Sequence, residues 1–293
     1  MKAMPGSVLV GVTGRGENTQ ALRFALEEAR RLGTGVTLVH AVAPAPPTPP
    51  GAVLVTFEDD WTELGRTIVA EVAAEAEELA GDVPVSSVVG YGAAGALLSD
   101  LSRDAVRVVL QHQHVHRMVR LVTGSTSARV AAQAHCPVIS VPAGHEAEPE
   151  SSGDVVAGVH DDGGPAEVVK AAVAEAELHG WRTRLLHAWH LPGAYDDLLE
   201  PEGAWARAAL ENLRHSSQDH AGADLEVEVV HEWPADALVE RSKTASLVVV
   251  GRHGRRGPIS PRLGSRARAV LANSHCPVMV VPLASESTER RSD

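Results

Sequence analysis

Residues 248–282 read VVVGRHGRRGPISPRLGSRARAVLANSHCPVMVVP. The stretch begins and ends with short valine-rich runs, which are typical of buried strands in a parallel sheet. Glycines follow the first run, and an alanine-rich segment precedes the second. The stretch therefore predicts a strand, a glycine-rich loop, a helix and a second strand.

The same pattern occurs earlier in the chain. His135-Cys136-Pro137 and His275-Cys276-Pro277 lie 140 positions apart, and Gly124-Ser125 keeps that offset from Gly264-Ser265. Near the start of each copy, Val8–Val12 resembles Val155–Val159, and these segments lie 147 positions apart. Repetition on this scale indicates a duplicated domain. We expect a first domain over residues 1–143, an acidic linker over 144–153, a second domain over 154–284 and a polar tail over 285–293.

Each copy alternates β-branched runs with segments of helical periodicity. This alternation predicts α/β domains in which helices cover both faces of a parallel sheet. In the first copy we expect strands at 8–12, 36–42, 85–89, 106–110 and 138–141, and helices at 19–31, 61–79, 94–104 and 126–133. In the second copy we expect strands at 155–159, 183–188, 225–230, 247–250 and 278–281, and helices at 166–179, 203–215, 235–243 and 265–273.

Composition narrows the class of protein. The 293 residues carry a net charge of −12, and the apolar fraction of 44% contains few aromatic residues. This length suits two domains with aliphatic cores. The acidic balance argues against nucleic acid as a partner. No signal peptide and no apolar run near the ~20 residues of a membrane span is present, so we expect a cytoplasmic protein with no membrane partner.

The glycine-rich loop has a spacing suited to an anion, Gly251-x2-Gly254-x9-Gly264-Ser265. Glycines after a strand let backbone N–H groups approach a ligand, and a helix that opens at Ser265 offers its positive dipole end. Ser265 can also cap that helix. Six arginines surround the loop, at positions 252, 255, 256, 262, 266 and 268. The combination favours a polyphosphate; the alternative is a solvated loop whose arginines pair with the acidic surface.

This spacing, followed by a helix and by the sequence HCPVMVVP, resembles the universal stress protein family across nearly the whole chain. The resemblance implies two tandem, doubly wound five-stranded parallel sheets with strand order 3-2-1-4-5, in the adenine nucleotide alpha hydrolase-like class. It implies ATP as the ligand, alone or with Mg²⁺, and pairing of the domains through their last strands or a homodimer. The implied nucleotide-binding residues are Val159, His160, Asp161, Gly251, Arg252, Gly254, Gly264, Ser265 and Arg266.

The two copies depart from the family pattern to different degrees. Family members that bind ATP usually carry Asp just after the first strand; the second copy has Asp161 one position late, and the first copy has Thr13. The first copy also reads Gln111-His112-Gln113-His114 where the second reads Gly251-Arg252-His253-Gly254. We therefore predict that the second domain binds ATP and that the first binds it weakly or not at all.

Other residues invite functional interpretations. His112, His114 and His116 alternate beyond a strand and can bind zinc, copper or nickel, but we favour a polar loop and assign no metal site. We expect His40 and His187 to bond nearby backbone. Cys136 and Cys276 should be buried and unreactive. Trp189 either stacks on adenine or packs in the core.

Three classes of function remain. The first, which we favour, is a nucleotide-binding regulator in the stress response, with at most weak ATP hydrolysis and no assigned catalytic residue. The second is a slow ATPase using Asp161, Asp162 or His253, although the loop lacks a Walker lysine. The third is a pseudo-symmetric interaction module in which neither site binds a nucleotide.

Overall fold

The computed structural model describes residues 3–42, 58–112, 126–145, 153–159, 165–190, 203–216, 224–252 and 263–283. The chain divides into two compact units, residues 1–146 and 147–293. Each unit alternates strands with helices, so the predicted α/β fold class is confirmed. Several residues singled out above lie outside the described residues, namely Gln113, His114, His116, Gly124, Ser125, His160, Asp161, Asp162, His253, Gly254, Arg255, Arg256 and Arg262.

The first unit is built on a parallel sheet. Its elements are β1 (Val8–Gly11), α1 (Thr19–Leu32), β2 (Val36–Val42), α2 (Glu58–Ala80), β3 (Val85–Tyr91), α3 (Ala94–Leu101), β4 (Arg107–His112), α4 (Thr126–Gln133) and β5 (Val138–Pro142). The backbone pairings place the strands in the order β3-β2-β1-β4-β5. Every pair is parallel, as expected when helices connect successive strands.

The second unit repeats this arrangement. Its elements are β6 (Asp154–Gly158), α5 (Pro165–His179), β7 (Arg182–Trp189), α6 (Ala204–Ser216), β8 (Leu225–His231), α7 (Pro234–Arg241), β9 (Leu247–Gly251), α8 (Ser265–Asn273) and β10 (Val278–Val281). The strands are again parallel, in the order β8-β7-β6-β9-β10. β7 and β8 therefore lie on one side of β6, and β9 and β10 lie on the other side. The chain changes direction across the sheet between β6 and β9.

Both cores are aliphatic, as the composition predicts. Leu9, Leu38 and Ile139 are fully enclosed in the first unit, and Leu185 and Leu247 in the second. Each such side chain contributes about 1.5–3 kcal/mol on burial. In the described parts of the chain, no helix combines the length and the low polarity that crossing a bilayer requires.

The observed elements differ from the predicted ones mainly at strand ends. β3 extends to Tyr91, two residues beyond the prediction, because its pairing with β2 continues to the Val42–Tyr91 pair. α1 ends as predicted at Gly33, whose φ of 64° is left-handed and whose N–H reaches the carbonyls of Ala29 and Arg30. α3 stops at Leu101, three residues earlier than predicted.

Candidate functional site

A pocket opens in the second unit at the carboxyl ends of three neighbouring strands. It spans the switch between β6 and β9, the place where open α/β sheets bind ligands. Its space, with the open mouth included, is about 500 Å³. The lining residues are Gly158 and Val159 after β6, Leu186 and Ala188 of β7, Val250 and Gly251 of β9, Pro234 and Leu238 of α7, and Arg266 and Ala267 of α8.

The amino-terminal end of α8 forms one side of this pocket. The structure corrects the predicted cap: Gly264, with φ −60° and ψ 154°, is the N-cap residue, and Ser265 is the first helical residue. Because glycine has no side chain, no described side chain caps the helix. The first-turn N–H groups lack intrahelical partners and so suit an anion.

Two arginines of the predicted set occupy different places. Arg266 lines the pocket and is exposed, so its guanidinium can reach a ligand there. Arg252 is half-buried, and burial lowers the pKa of its guanidinium. Its backbone N–H donates to the carbonyl of Val281 at 2.9 Å. The amide of Arg252 is therefore already bonded within the sheet and is not available to a ligand.

Neighbouring side chains leave little space around the glycines at the strand ends, so packing favours glycine there in addition to the ligand role inferred from the sequence. A Cβ on Gly251 would lie 3.1 Å from Val168 and 3.3 Å from Leu283. A Cβ on Gly158 would lie 2.8 Å from Leu238, a pocket residue. Any larger residue at these positions crowds neighbouring side chains even when no ligand is bound.

The first turn after β6 is held in place by backbone hydrogen bonds. The N–H of Val159 donates to the carbonyl of Leu186 at 3.0 Å, and its own carbonyl accepts from Nδ1 of His187 at 3.2 Å. In the first unit, Nδ1 of His40 donates in the same way to the carbonyl of Val12 at 3.0 Å. The structural role predicted for both histidines is confirmed.

In the first unit, the corresponding strand end carries a side chain that bonds to the protein itself. Gln111, the counterpart of Gly251, accepts the backbone N–H groups of Gln20 and Ala21 at 3.1 and 3.3 Å through Oε1. Its Nε2 donates to the carbonyl of Glu17 at 2.6 Å. The sequence predicts that Gln111 intrudes on a phosphate site, and the structure shows which amides it takes.

The loop between β1 and α1 is likewise held by its own side chains. Asn18 is the N-cap residue of α1, but its Oδ1 accepts from the amide and hydroxyl of Thr13 at 2.7 and 2.9 Å instead of from the helix. Glu75 accepts from the N–H of Gly16 at 2.8 Å and from the hydroxyl of Thr19. The amides of Thr13 and Gly16 and the hydroxyls of Thr13 and Thr19 are therefore already bonded within the protein.

Four rings form a stack at the carboxyl ends of β7 and β8. We call Trp189, His231, His190 and Trp233 the ring stack. Trp189 and His231 lie 4.2 Å apart between ring centroids, His231 and His190 5.6 Å, and His190 and Trp233 4.0 Å. Trp189 is only 6% exposed, which favours the packing role for that residue. Sequence reasoning missed the stack, although the segments AWH and HEW at the ends of two neighbouring strands are a visible signal.

The thiols are unsuited to chemistry. Both Cys136 and Cys276 are buried, and burial raises the pKa of each thiol to about 12. A thiol with that pKa is neutral near pH 7 and a poor nucleophile. The predicted burial of both cysteines is confirmed, and their lack of reactivity stays a prediction.

The described lining of the pocket has features suited to binding a ligand. It combines two glycines, seven apolar side chains, a helix N-terminus and Arg266, and these described residues include no carboxylate, imidazole or hydroxyl side chain. Apolar walls suit the flat face of a base or the carbon face of a sugar, and the cationic end suits a phosphate.

Comparison with known proteins gives a consistent result. The sequence profile of the Universal stress protein family matches residues 4–142 and again residues 153–282. Universal stress protein Rv2005c of Mycobacterium tuberculosis (strain ATCC 25618 / H37Rv) is 30% identical over 289 residues, which cover 93% of this chain and 96% of that protein. A universal stress protein of Mycolicibacterium smegmatis is 29% identical over 284 residues, which cover 94% of this chain and 96% of the relative.

Solved structures agree on the fold. The crystal structure of a universal stress protein from Archaeoglobus fulgidus DSM 4304 matches with a TM-score of 0.70 at 16% identity and covers 95% of this chain and 97% of that chain. A putative universal stress protein from Pseudomonas aeruginosa UCBPP-PA14 matches with a TM-score of 0.63 at 19% identity and covers 95% and 94% of the two chains. At these identities the likeness concerns the fold alone.

Proposed function

This chain belongs to the universal stress protein family as a tandem pair of domains, and on that premise we propose that it is a regulatory ATP-binding protein whose second domain alone binds the nucleotide. The observation that carries the proposal is the pocket at the β6–β9 switch, closed on one side by the glycine-capped start of α8. In the first domain, Gln111 and Glu75 instead bond amides at the start of α1 and in the loop before it, and Gly124-Ser125, the counterpart of Gly264-Ser265, lies outside the described residues.

The residues present fit a nucleotide. The first-turn amides of α8 and the guanidinium of Arg266 would hold phosphate oxygens, with Arg252 supplying further positive charge. Leu186, Ala188 and Leu238 give the pocket its apolar wall. We also propose Gly254, His160 and Asp161 as nucleotide-binding residues, because they complete the sequence motif that resembles the family's nucleotide-binding motif. Mg²⁺, if it accompanies ATP, requires an oxygen ligand from outside the described lining.

The lack of an acid or base in the described lining favours binding over hydrolysis. Regulation then follows from linkage: a ligand that binds only the folded second domain stabilises it, by about 2.7 kcal/mol at 100 times its Kd. We also propose that the protein acts in the cytoplasm, where ATP is available. Pairing of the domains through their last strands and a homodimer stay predictions.

Calorimetric titration of the full chain with ATP tests the proposal. Arg266→Gln should weaken ATP binding about tenfold or more, because a hydrogen bond to a charged group is worth ~1.5–3 kcal/mol. Arg268→Gln is the matched control: Arg268 is also exposed and lies two residues along the same helix, but it is not part of the described pocket lining. Equal effects of the two substitutions, or the absence of any ATP binding by the wild-type chain, would contradict the proposal and favour an interaction module.

A further inference from the structure

The ring stack lies at the same edge of the second sheet as the proposed nucleotide pocket. Trp233 is the N-cap residue of α7 and directly precedes Pro234, which lines the pocket. Trp189 follows the lining residue Ala188 at the end of β7, and its side chain points to the opposite face of that strand. Since the carboxyl ends of parallel strands meet at one edge of a sheet, the stack and the pocket share that edge.

The stack runs from a buried ring to an exposed one. Trp189 is 6% exposed, whereas Trp233 is 53% exposed although His190 stacks on it at 4.0 Å and an interplanar angle of 16°. The exposed part of the indole is open to a ligand at this edge of the sheet. Stacking by His190 holds the indole of Trp233 before any ligand arrives, which lowers the entropic cost of stacking on it.

The stack belongs only to the unit that has the glycine spacing. At the 140-residue offset, the first unit has Ala93 in place of Trp233 and Tyr91 in place of His231. At the 147-residue offset, it has Val42 in place of Trp189. The exposed indole therefore occurs together with the proposed phosphate site, and the unit whose donors are internally bonded lacks it.

We propose that Trp233 is a base-stacking residue that makes the second domain prefer a purine nucleotide over a bare polyphosphate. This inference rests on the proposed function and adds to it the group that recognises the base. An indole offers a flat face of high polarisability, on which a purine ring stacks with an energy comparable to that of aromatic platforms for single-stranded nucleic acids. His190 acts through Trp233, as a positioning residue that fixes the ring plane.

The test compares two ligands on the full chain, ATP and inorganic tripolyphosphate, by calorimetry. Trp233→Leu keeps apolar bulk but removes the ring, and it should weaken ATP about tenfold, within the ~5- to 150-fold range expected for loss of one stacking contact. The same variant should leave the affinity for tripolyphosphate unchanged. Trp61→Leu is the matched control, because Trp61 is 52% exposed on α2 of the first unit, and it should change neither affinity.

Trp233→Phe supplies a second readout that a purely structural role would not move. It should keep ATP affinity within about threefold, since phenylalanine retains an aromatic face, and it should abolish the part of the ATP-induced tryptophan quenching that comes from residue 233. Tripolyphosphate should quench neither protein.

The outcomes separate this inference from the proposed function. If Trp233→Leu lowers the affinity for both ligands equally, or for neither, Trp233 does not read the base. If the wild-type chain binds tripolyphosphate as tightly as ATP, the inference is wrong while the phosphate site stands. If it binds neither ligand, both proposals are wrong. A change in sedimentation of Trp233→Leu with unchanged ATP affinity would assign the exposed indole to an interface between copies and overturn the inference.

Discussion

The side-chain oxygen of Gln111 accepts the backbone N–H of Gln20 at 3.1 Å, at the strand end where the second unit has Gly251. The amide of Gln20 lies in the first turn of α1, whose counterpart in the second unit is α5. The second unit has a glycine at the matching strand end, so no side chain of that residue can bond α5 there. Its pocket lies beside the start of a different helix, α8, whose N-cap residue is Gly264.

Replacing Gln111 by alanine should loosen the start of α1. The amides of Gln20 and Ala21 lose their acceptor, and the loss of a helix cap costs about 1 kcal/mol. Hydrogen exchange of these two amides should accelerate about fivefold. Gln133→Ala, at the exposed end of α4, is the control and should leave exchange in α1 unchanged. Unaltered protection of Gln20 in the Gln111 variant would show that the bond does not stabilise the helix.

Replacing Arg107 by leucine should destabilise the first unit strongly. Arg107 pairs with Glu28, and both side chains are buried. Removing one partner of a buried ion pair leaves the other charge without compensation, at a cost of about 3–5 kcal/mol. Thermal unfolding should show the unfolding of the first unit shifted to lower temperature. Arg103→Leu, at an exposed position nearby, should change the free energy of unfolding by less than about 0.5 kcal/mol; a similar cost for both variants would contradict this assignment.

Gly251→Ala should destabilise the second unit in the absence of nucleotide. The added Cβ would meet Val168 at 3.1 Å and Leu283 at 3.3 Å, which forces these side chains to shift and costs on the order of 1 kcal/mol. Gly144→Ala is the control, because no atom lies within 4 Å of the Cβ built there. Equal melting temperatures for the two variants would show that the space around Gly251 adapts without cost. A drop in ATP affinity on Gly251→Ala alone would therefore not identify a phosphate contact.

The two cysteines should resist alkylation in the native state and make stability depend on alkaline pH. Burial raises the pKa of Cys136 and Cys276 to about 12, whereas an unfolded thiol titrates near ~8.5. A group whose folded pKa is raised contributes stability that is intact below ~8.5 and is lost as pH rises toward about 12. Iodoacetamide labelling followed by mass spectrometry at pH 8, with and without denaturant, measures how far the native fold protects the two thiols from alkylation. Rapid labelling of the native chain would contradict it.

Much of the fold could be predicted because the relevant signals are local. The valine runs, the helical periodicity and Gly33 give the elements with small errors, and the bounds 126–133, 265–273 and 278–281 match the structure. Some errors lie at helix ends, as in α3. Others lie at strand ends, where pairing with a neighbouring strand, and not local sequence, decides how far a strand continues. β3 reaches Tyr91 for this reason.

The candidate site was only partly predictable. The start of α8 and the position of Arg266 follow from spacing, because a helix after a glycine-rich loop is a local pattern. The acceptor role of Gln111 joins residues about ninety positions apart, and the ring stack joins the ends of two strands. Such contacts depend on which strands are neighbours, so they become visible only once the sheet is assembled.

Counting the ATP bound per chain tests the central claim most directly. Equilibrium dialysis of the full chain against radiolabelled ATP, at saturating concentration, should give one nucleotide per chain. Arg266→Gln should lower the affinity of that single site, and Gln111→Ala should leave it unchanged. A stoichiometry of two would mean that the first unit binds ATP despite its internally bonded donors, and a stoichiometry of zero would mean that the pocket at the β6–β9 switch does not bind ATP.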